Sequence, residues 1–104
     1  MWEEIQEFQS INPDHINGFT MNRYVTILRY FSICHNNPRV EDVTLSMIKS
    51  YTNTALEHGL SDKTMSMWSA AFKSFFKYLA IWEKREVLPY QYIKDDTPTL
   101  DLYE

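Results

Sequence analysis

Apolar and polar positions recur with a helical period along most of this chain, and the clearest stretch runs from Gly59 to Leu79. At about 100° per residue, Met65, Trp68, Phe72, Phe75, Phe76 and Leu79 fall on one side. Lys63, Ser66, Ala70, Lys73, Ser74 and Lys77 fall on the other. The stretch carries its own start signal. Gly59 suits the left-handed residue that closes a preceding helix. Ser61 is a good N-cap, and Leu60 and Met65 flank it as a hydrophobic staple. The pattern predicts a helix from Ser61 to about Glu83 or Arg85, broken by Val87-Leu88-Pro89. Its aromatic face belongs in a core. Its small, hydroxylated and basic face is either a solvated surface or a place for phosphates.

Three earlier helices follow from the same reading. Trp2 to Phe8 is a short amphipathic segment, with Trp2, Ile5 and Phe8 three apart. Asn12-Pro13 and Asn17-Gly18 are turn signals. A second helix runs from about Gly18 to His35, with Tyr24, Ile27, Leu28 and Phe31 on its apolar side and Asn22, Arg23, Thr26 and Arg29 opposite. Asn36-Asn37-Pro38 ends it. Arg39 to Val43 reads as a connection. Thr44 caps a third helix that runs to about His58 and buries Leu45, Ile48, Tyr51, Ala55 and Leu56. From Tyr90 onward the chain reads as an extended linker or a short final helix. The expected fold is all-α, a compact bundle of four to five helices.

One internal relation is visible. Thr20, Tyr24, Leu28 and Phe31 have the spacing of Thr64, Trp68, Phe72 and Phe75, 44 residues later. Asn17 and Ser61 each precede the threonine by three residues, where a cap belongs. Either the chain is two helical hairpins packed face to face, or two amphipathic helices match by coincidence.

Composition narrows the class. A chain of 104 residues suggests one domain. With 44% hydrophobic and 15% aromatic residues it can build a core. Two glycines and four prolines argue against a turn-rich β fold or a disordered chain. No apolar run reaches the length of a membrane span, and no secretory signal opens the chain. A single cysteine, Cys34, excludes an internal disulfide and is expected to be a buried thiol. A cytoplasmic protein is the default.

Charge changes the picture more than its total of −4 suggests. Residues 1–16 carry Glu3, Glu4, Glu7 and Asp14 without a base, and residues 95–104 carry Asp95, Asp96, Asp101 and Glu104 likewise. Residues 17–94 hold all ten basic groups against six acids. The body is mildly basic and the ends are acidic, which permits a phosphate partner without requiring one. His15, His35 and His58 are scattered, so no metal set is formed. No phosphate loop or nucleophile motif appears, and no cofactor is implied. Glu83, Lys84, Arg85 and Glu86 read as a solvated helix end.

Thr20-xxx-Tyr24-xxx-Leu28-xx-Phe31, Ile48-xx-Tyr51, Gly59-Leu60-Ser61-xx-Thr64 and Ala71-Phe72-Lys73-Ser74-Phe75-Phe76-Lys77-Tyr78-Leu79, in that order, resemble the SAM-like N-terminal core-binding domain of tyrosine recombinases, the phage integrases. The resemblance covers about residues 2–93. It implies a SAM-like bundle, over residues 1–93, that clamps double-stranded DNA at a recombination core site. The second and fourth helices would face the DNA, and the outer helices would meet other recombinase protomers. Residues 94–104 would be a linker toward the catalytic domain of the same protein. The tyrosine nucleophile, arginines and histidine of the family belong to that domain, so this chain is expected to have no catalytic residue and no cleavage activity. Two departures stand out. Ser66 and Met67 occupy positions where the family often has basic residues, and only Leu88-Pro89 represents its asparagine-proline. Lys73 matches the basic position before the paired aromatics.

The residues expected to meet DNA are Lys63, Thr64, Ser66, Lys73 and Lys77, with Asn22, Arg23 and Thr26 from the second helix. Lysines would hold phosphates, while the hydroxyls and Asn22 would meet phosphates or base edges. Each lysine taken singly is more often a solvated charge, the cluster counts for more than its members, and Thr20 and Thr64 equally serve their helix starts. With so few charges, affinity is expected to be weak and salt-dependent. The competing expectation is a helical protein–protein interaction module without DNA binding.

Overall fold

A computed structural model describes residues 1–57, 59 and 62–93, with the backbone alone for residues 55, 56 and 62–65. Among the described residues there are four helices: α1 (Trp2–Ile11), α2 (Gly18–Cys34), α3 (Leu45–Glu57) and α4 (Asp62–Ile81). Single 3-10 turns cover Val40–Asp42 and Tyr90–Tyr92, and no strand occurs among the described residues. The fold is all-α, as the periodicity requires.

Local signals account for most of the helix ends. The Asn17 side chain accepts from the Thr20 N–H at 2.9 Å and starts α2. The Thr44 hydroxyl accepts from the Met47 N–H at 3.2 Å and starts α3. Asn36 and Asn37 leave α2 with φ of 58° and 50°, and the Asn37 N–H returns to the Ser32 carbonyl at 2.6 Å. Asparagine tolerates that left-handed exit and Pro38 forbids continuation. Gly59 has φ of 90°, in the region glycine adopts cheaply. The Ser61 cap and the Leu60–Met65 staple lie outside the described residues and side chains.

Two ends differ from expectation. α1 continues past Phe8 to Ile11, because Asn12 takes φ of 45° and supplies the turn itself. Its side-chain amide donates to the Ile16 carbonyl at 2.7 Å, and its side-chain oxygen accepts from the Ile16 N–H at 2.8 Å. α4 stops at Ile81, short of Glu83. There Lys84 takes φ of 52° and the Arg85 N–H returns to the Leu79 carbonyl at 3.1 Å.

α4 is the centre of the packing. Ala71, Phe72, Phe75, Phe76, Tyr78 and Leu79 are all buried. α2 crosses it, with the Phe31 and Phe72 rings edge to face at 5.0 Å. α1 lies against both, setting Phe8 edge-on to Phe75 at 5.7 Å. α3 leans on α4 through a stack of Tyr51 on Trp68, ring centroids 4.9 Å apart. The α1–α2 pair thus meets the α3–α4 pair through α2 and α4. The matched spacing has a matched outcome: Leu28 and Phe72 are fully buried, as are Phe31 and Phe75, while Tyr24 and Trp68 are half-buried. The stretch read as a mere connection also enters the core, through Val40 and Val43. Ile93, after the last 3-10 turn, is buried, and residues 94–104 lie outside the described residues.

Two expectations about side chains are corrected. Cys34 is exposed rather than buried. His35 takes the inward place at the end of α2, its ring 4.4 Å from that of Phe31 and its Nδ1 at 2.9 Å from the Phe31 carbonyl. The Glu83–Glu86 stretch is not a solvated helix end. Arg85 turns back into the body and donates to Glu4 at 2.8 Å and Glu41 at 2.7 Å. One further polar contact lies at the core: Ser32 is fully buried, donates to the Arg29 carbonyl at 2.7 Å and accepts from the Trp2 indole N–H.

Candidate nucleic-acid interface

A helix that buries one stripe must present the opposite one, and α2 buries Met21, Val25, Ile27, Leu28, Phe31 and Ser32. The outward stripe therefore holds Asn22, Arg23 and Thr26, all exposed. The Arg23 guanidinium lies 5.5 Å from the centroid of the Phe19 ring, which is itself 72% exposed. This cation–π contact holds the guanidinium at the surface without neutralising it. The Thr26 hydroxyl donates to the Asn22 carbonyl at 2.8 Å, so its remaining capacity is as an acceptor. The Asn22 side-chain oxygen accepts from Gln9 of α1 at 3.4 Å.

These three residues border a groove of about 510 Å³ between α2 and α4. Its other walls are Phe19, Ile27 and Tyr30 of α2, Tyr51 of α3, and Met67 and Trp68 of α4. Among the described residues, Arg23 is the one charged side chain that lines it. Burial, followed by the nearby Cys34 and Tyr30, pushes the Tyr51 hydroxyl up to about 12, so it stays neutral in the groove wall.

The α4 candidates separate from this groove. Ser66, Lys73 and Lys77 follow one another at seven and four residues, one strip at about 100° per residue, and none of the three lines the groove. Lys77 is exposed, Ser66 is half-buried, and Lys73 is half-buried with an interaction partner inside the protein. Lys63 and Thr64 fall in the first turn of α4, where their side chains lie outside those described. So the structure brings Asn22, Arg23 and Thr26 together and leaves Ser66, Lys73 and Lys77 on a neighbouring strip.

Charge is nevertheless segregated by element. α2 carries Arg23 and Arg29 with no acid, and α4 carries Lys63, Lys73 and Lys77 against Asp62 alone. Glu4 of α1 and Glu41 of the Val40–Asp42 turn instead pair with Arg85. Among the described residues no group of three or more His, Cys, Asp or Glu is placed to hold a metal ion. No helix among them is long and apolar enough to cross a membrane.

Sequence reasoning missed the groove itself. Phe19 and Tyr30 were legible as aromatics on the polar side of α2, and they are 72% and 60% exposed. It also missed Arg85, whose partners lie 44 and 81 residues away, where no local signal reaches.

Residues 15–84 match the protein family described as phage integrase, N-terminal SAM-like domain. No curated protein and no solved structure matches the chain. The match is narrower than the span over which the resemblance was drawn: it begins after α1 and stops one residue before Arg85.

Proposed function

Because the chain belongs to the phage integrase N-terminal SAM-like family, we propose that it binds double-stranded DNA as the core-binding domain of a tyrosine recombinase. In that role it clamps a recombination site together with the catalytic domain of the same protein and with other protomers on the DNA. The catalytic groups reside on that other domain, and this chain contributes position and affinity in the cytoplasm.

The observation that carries the reading is the charge of the two central helices. α2 and α4 cross, and together they hold five basic residues against one acid in a chain of net −4. Phosphate contacts supply most of the affinity of such a face. Arg23 and Lys77 are exposed and placed for phosphates, with Asn22 and Thr26 beside Arg23. Lys63, Thr64, Ser66 and Lys73 complete the proposed face on α4.

Adding duplex DNA to the isotopically labelled protein tests this. The amide signals of Asn22 to Thr26 and of Lys73 to Lys77 shift, while those of Glu3 to Glu7 on α1 do not. Shifts confined to α1, or none at low salt, would refute the assignment.

A second reading, a helical protein–protein interaction module, is favoured by one observation. The groove beside Arg23 is walled mainly by Phe19, Ile27, Tyr30, Met67 and Trp68, which is more apolar than phosphate binding needs.

A further inference from the structure

The outward stripe of α2 begins and ends on aromatic rings. Phe19, Asn22, Arg23, Thr26 and Tyr30 share one face at about 100° per residue, and all five line the α2–α4 groove. Phe19, 72% exposed, is the most exposed large apolar side chain among the described residues. Phosphate contacts account for Arg23 and leave Phe19 without a role. Yet the two act as a unit. The Arg23 guanidinium lies 5.5 Å from the centre of the Phe19 ring, so each holds the other's rotamer before a partner arrives. The pair presents an apolar surface and a cation within one or two base-pair steps of each other, since bases stack about 3.4 Å apart. Duplex DNA carries one group that answers the ring. Of the four bases only thymine presents a methyl in the major groove, at C5, on the side nearest its own strand's phosphates.

We infer, resting on the DNA-binding reading, that Phe19 is a specificity residue: its ring packs on the C5-methyl of a thymine in the major groove while Arg23 holds the adjacent phosphate. Phe19 is the second residue of α2, and the first turn of a helix laid in the major groove is the part that reaches base edges. The major groove, about 12 Å wide, admits such a helix. Arg23 sets the register through the backbone, and Phe19 turns that register into a base preference. Little ordering is needed on contact, because ring and guanidinium are already together in the free protein. Cytosine at the same position offers a bare C5–H and loses the contact. The apolar character of this face, which phosphates alone do not call for, then has a partner on the DNA.

The test enriches a pool of random-sequence duplexes on the full chain at low salt. The most enriched duplex is then measured with each thymine replaced in turn by deoxyuridine, which removes only the methyl. At one position the replacement weakens binding about fourfold, the effect of burying a single methyl group. Phe19→Ala binds the thymine and deoxyuridine duplexes equally, and Phe19→Leu, which keeps an apolar side chain, retains part of the difference. Phe19 lies outside the buried core, and an unchanged melting temperature confirms that both variants fold. Deoxyuridine tolerated at every position by the parent, or a thymine preference that persists in Phe19→Ala, would overturn the inference. A pool bound in a salt-dependent way but without enrichment would overturn it too. Each of these outcomes leaves the DNA-binding reading standing. A pool not bound at low salt removes that reading, and the role of Phe19 with it.

Discussion

Arg85 and Glu41 are joined through two nitrogens: Nε and Nη2 of the guanidinium both donate to Glu41 Oε2, each at 2.7 Å. The same side chain donates through Nη1 to Glu4 Oε2 at 2.8 Å. One arginine thereby ties α1 and the Val40–Asp42 turn to the chain leaving α4. With Arg85 about one third exposed and Glu4 at 15%, the pairs are partly shielded from solvent. Replacing Arg85 by Met should cost about 1–3 kcal/mol, since it leaves Glu41 half-buried and unpaired and Glu4 with the N-terminal amine as its remaining charge partner. Lys should restore only part of this, because it lacks the planar fork. Urea unfolding of the two variants checks both, and Arg85→Met as stable as the parent would dismiss the tie.

The carboxylates around Arg85 predict a shaped acid limb. Burial pushes Glu4 up, but its backbone hydrogen bond, the N-terminal amine and Arg85 outweigh that and hold it below 4.5. The hydrogen bond from Arg85, then a backbone N–H, lowers Glu41. Both contributions are full above the unfolded value and disappear as pH falls through the lowered ones. Glu83 runs the other way. Burial, then a hydrogen bond and repulsion from Glu7, raise it. Its contribution is full below 4.5 and is lost as pH rises through its raised value. Melting temperature against pH should therefore show Glu41→Gln flattening the loss below 4.5, and Glu83→Gln stabilising the protein near neutrality.

Tyr78 has a buried hydroxyl with no hydrogen-bond partner among the described residues. Burial first, then the charges of Glu83 and Glu7, push it up to about 12, so it remains a neutral phenol. Removing an unsatisfied polar atom should not destabilise. Tyr78→Phe is expected to keep or raise stability by up to about 1 kcal/mol, in contrast to most core substitutions. A clear loss in chemical denaturation would mean the hydroxyl has a partner.

Asn17→Ala removes the side-chain acceptor for the Thr20 N–H. It should cost about 1 kcal/mol, and Asn17→Ser should recover most of it. The drop in denaturation midpoint, with unchanged slope, is the expected reading.

What was legible in the sequence was local. Asn17, Thr44 and Gly59 act within three or four residues of themselves, and each does in the structure what its residue type prescribes. The aromatic stripe of α4 was legible for the same reason, since its period is set by the helix alone. The misreadings were mostly tertiary. Glu83–Glu86 looks like a charged helix end until the fold brings Glu4 and Glu41 to Arg85. Cys34 and His35 are adjacent, and only the exit geometry of α2 decides which of them covers Phe31. Asn12 was seen as a turn signal, but the extent of α1 depended on its paired hydrogen bonds with Ile16. The candidate interface divides in the same way. Its residues could be named from helix faces, but the groove that separates Asn22, Arg23 and Thr26 from Ser66, Lys73 and Lys77 arises from how α2 crosses α4.

The most direct measurement of the central claim is the salt dependence of duplex DNA binding by the full chain and by its Arg23→Ala/Lys77→Ala variant. Both side chains are surface-exposed, so the variant should fold normally. If α2 and α4 face the DNA, affinity falls with salt, and the slope of log K against log salt drops by about 0.9 for each phosphate contact removed. Equal slopes and equal affinities for the two proteins, at low and moderate salt, would contradict the account.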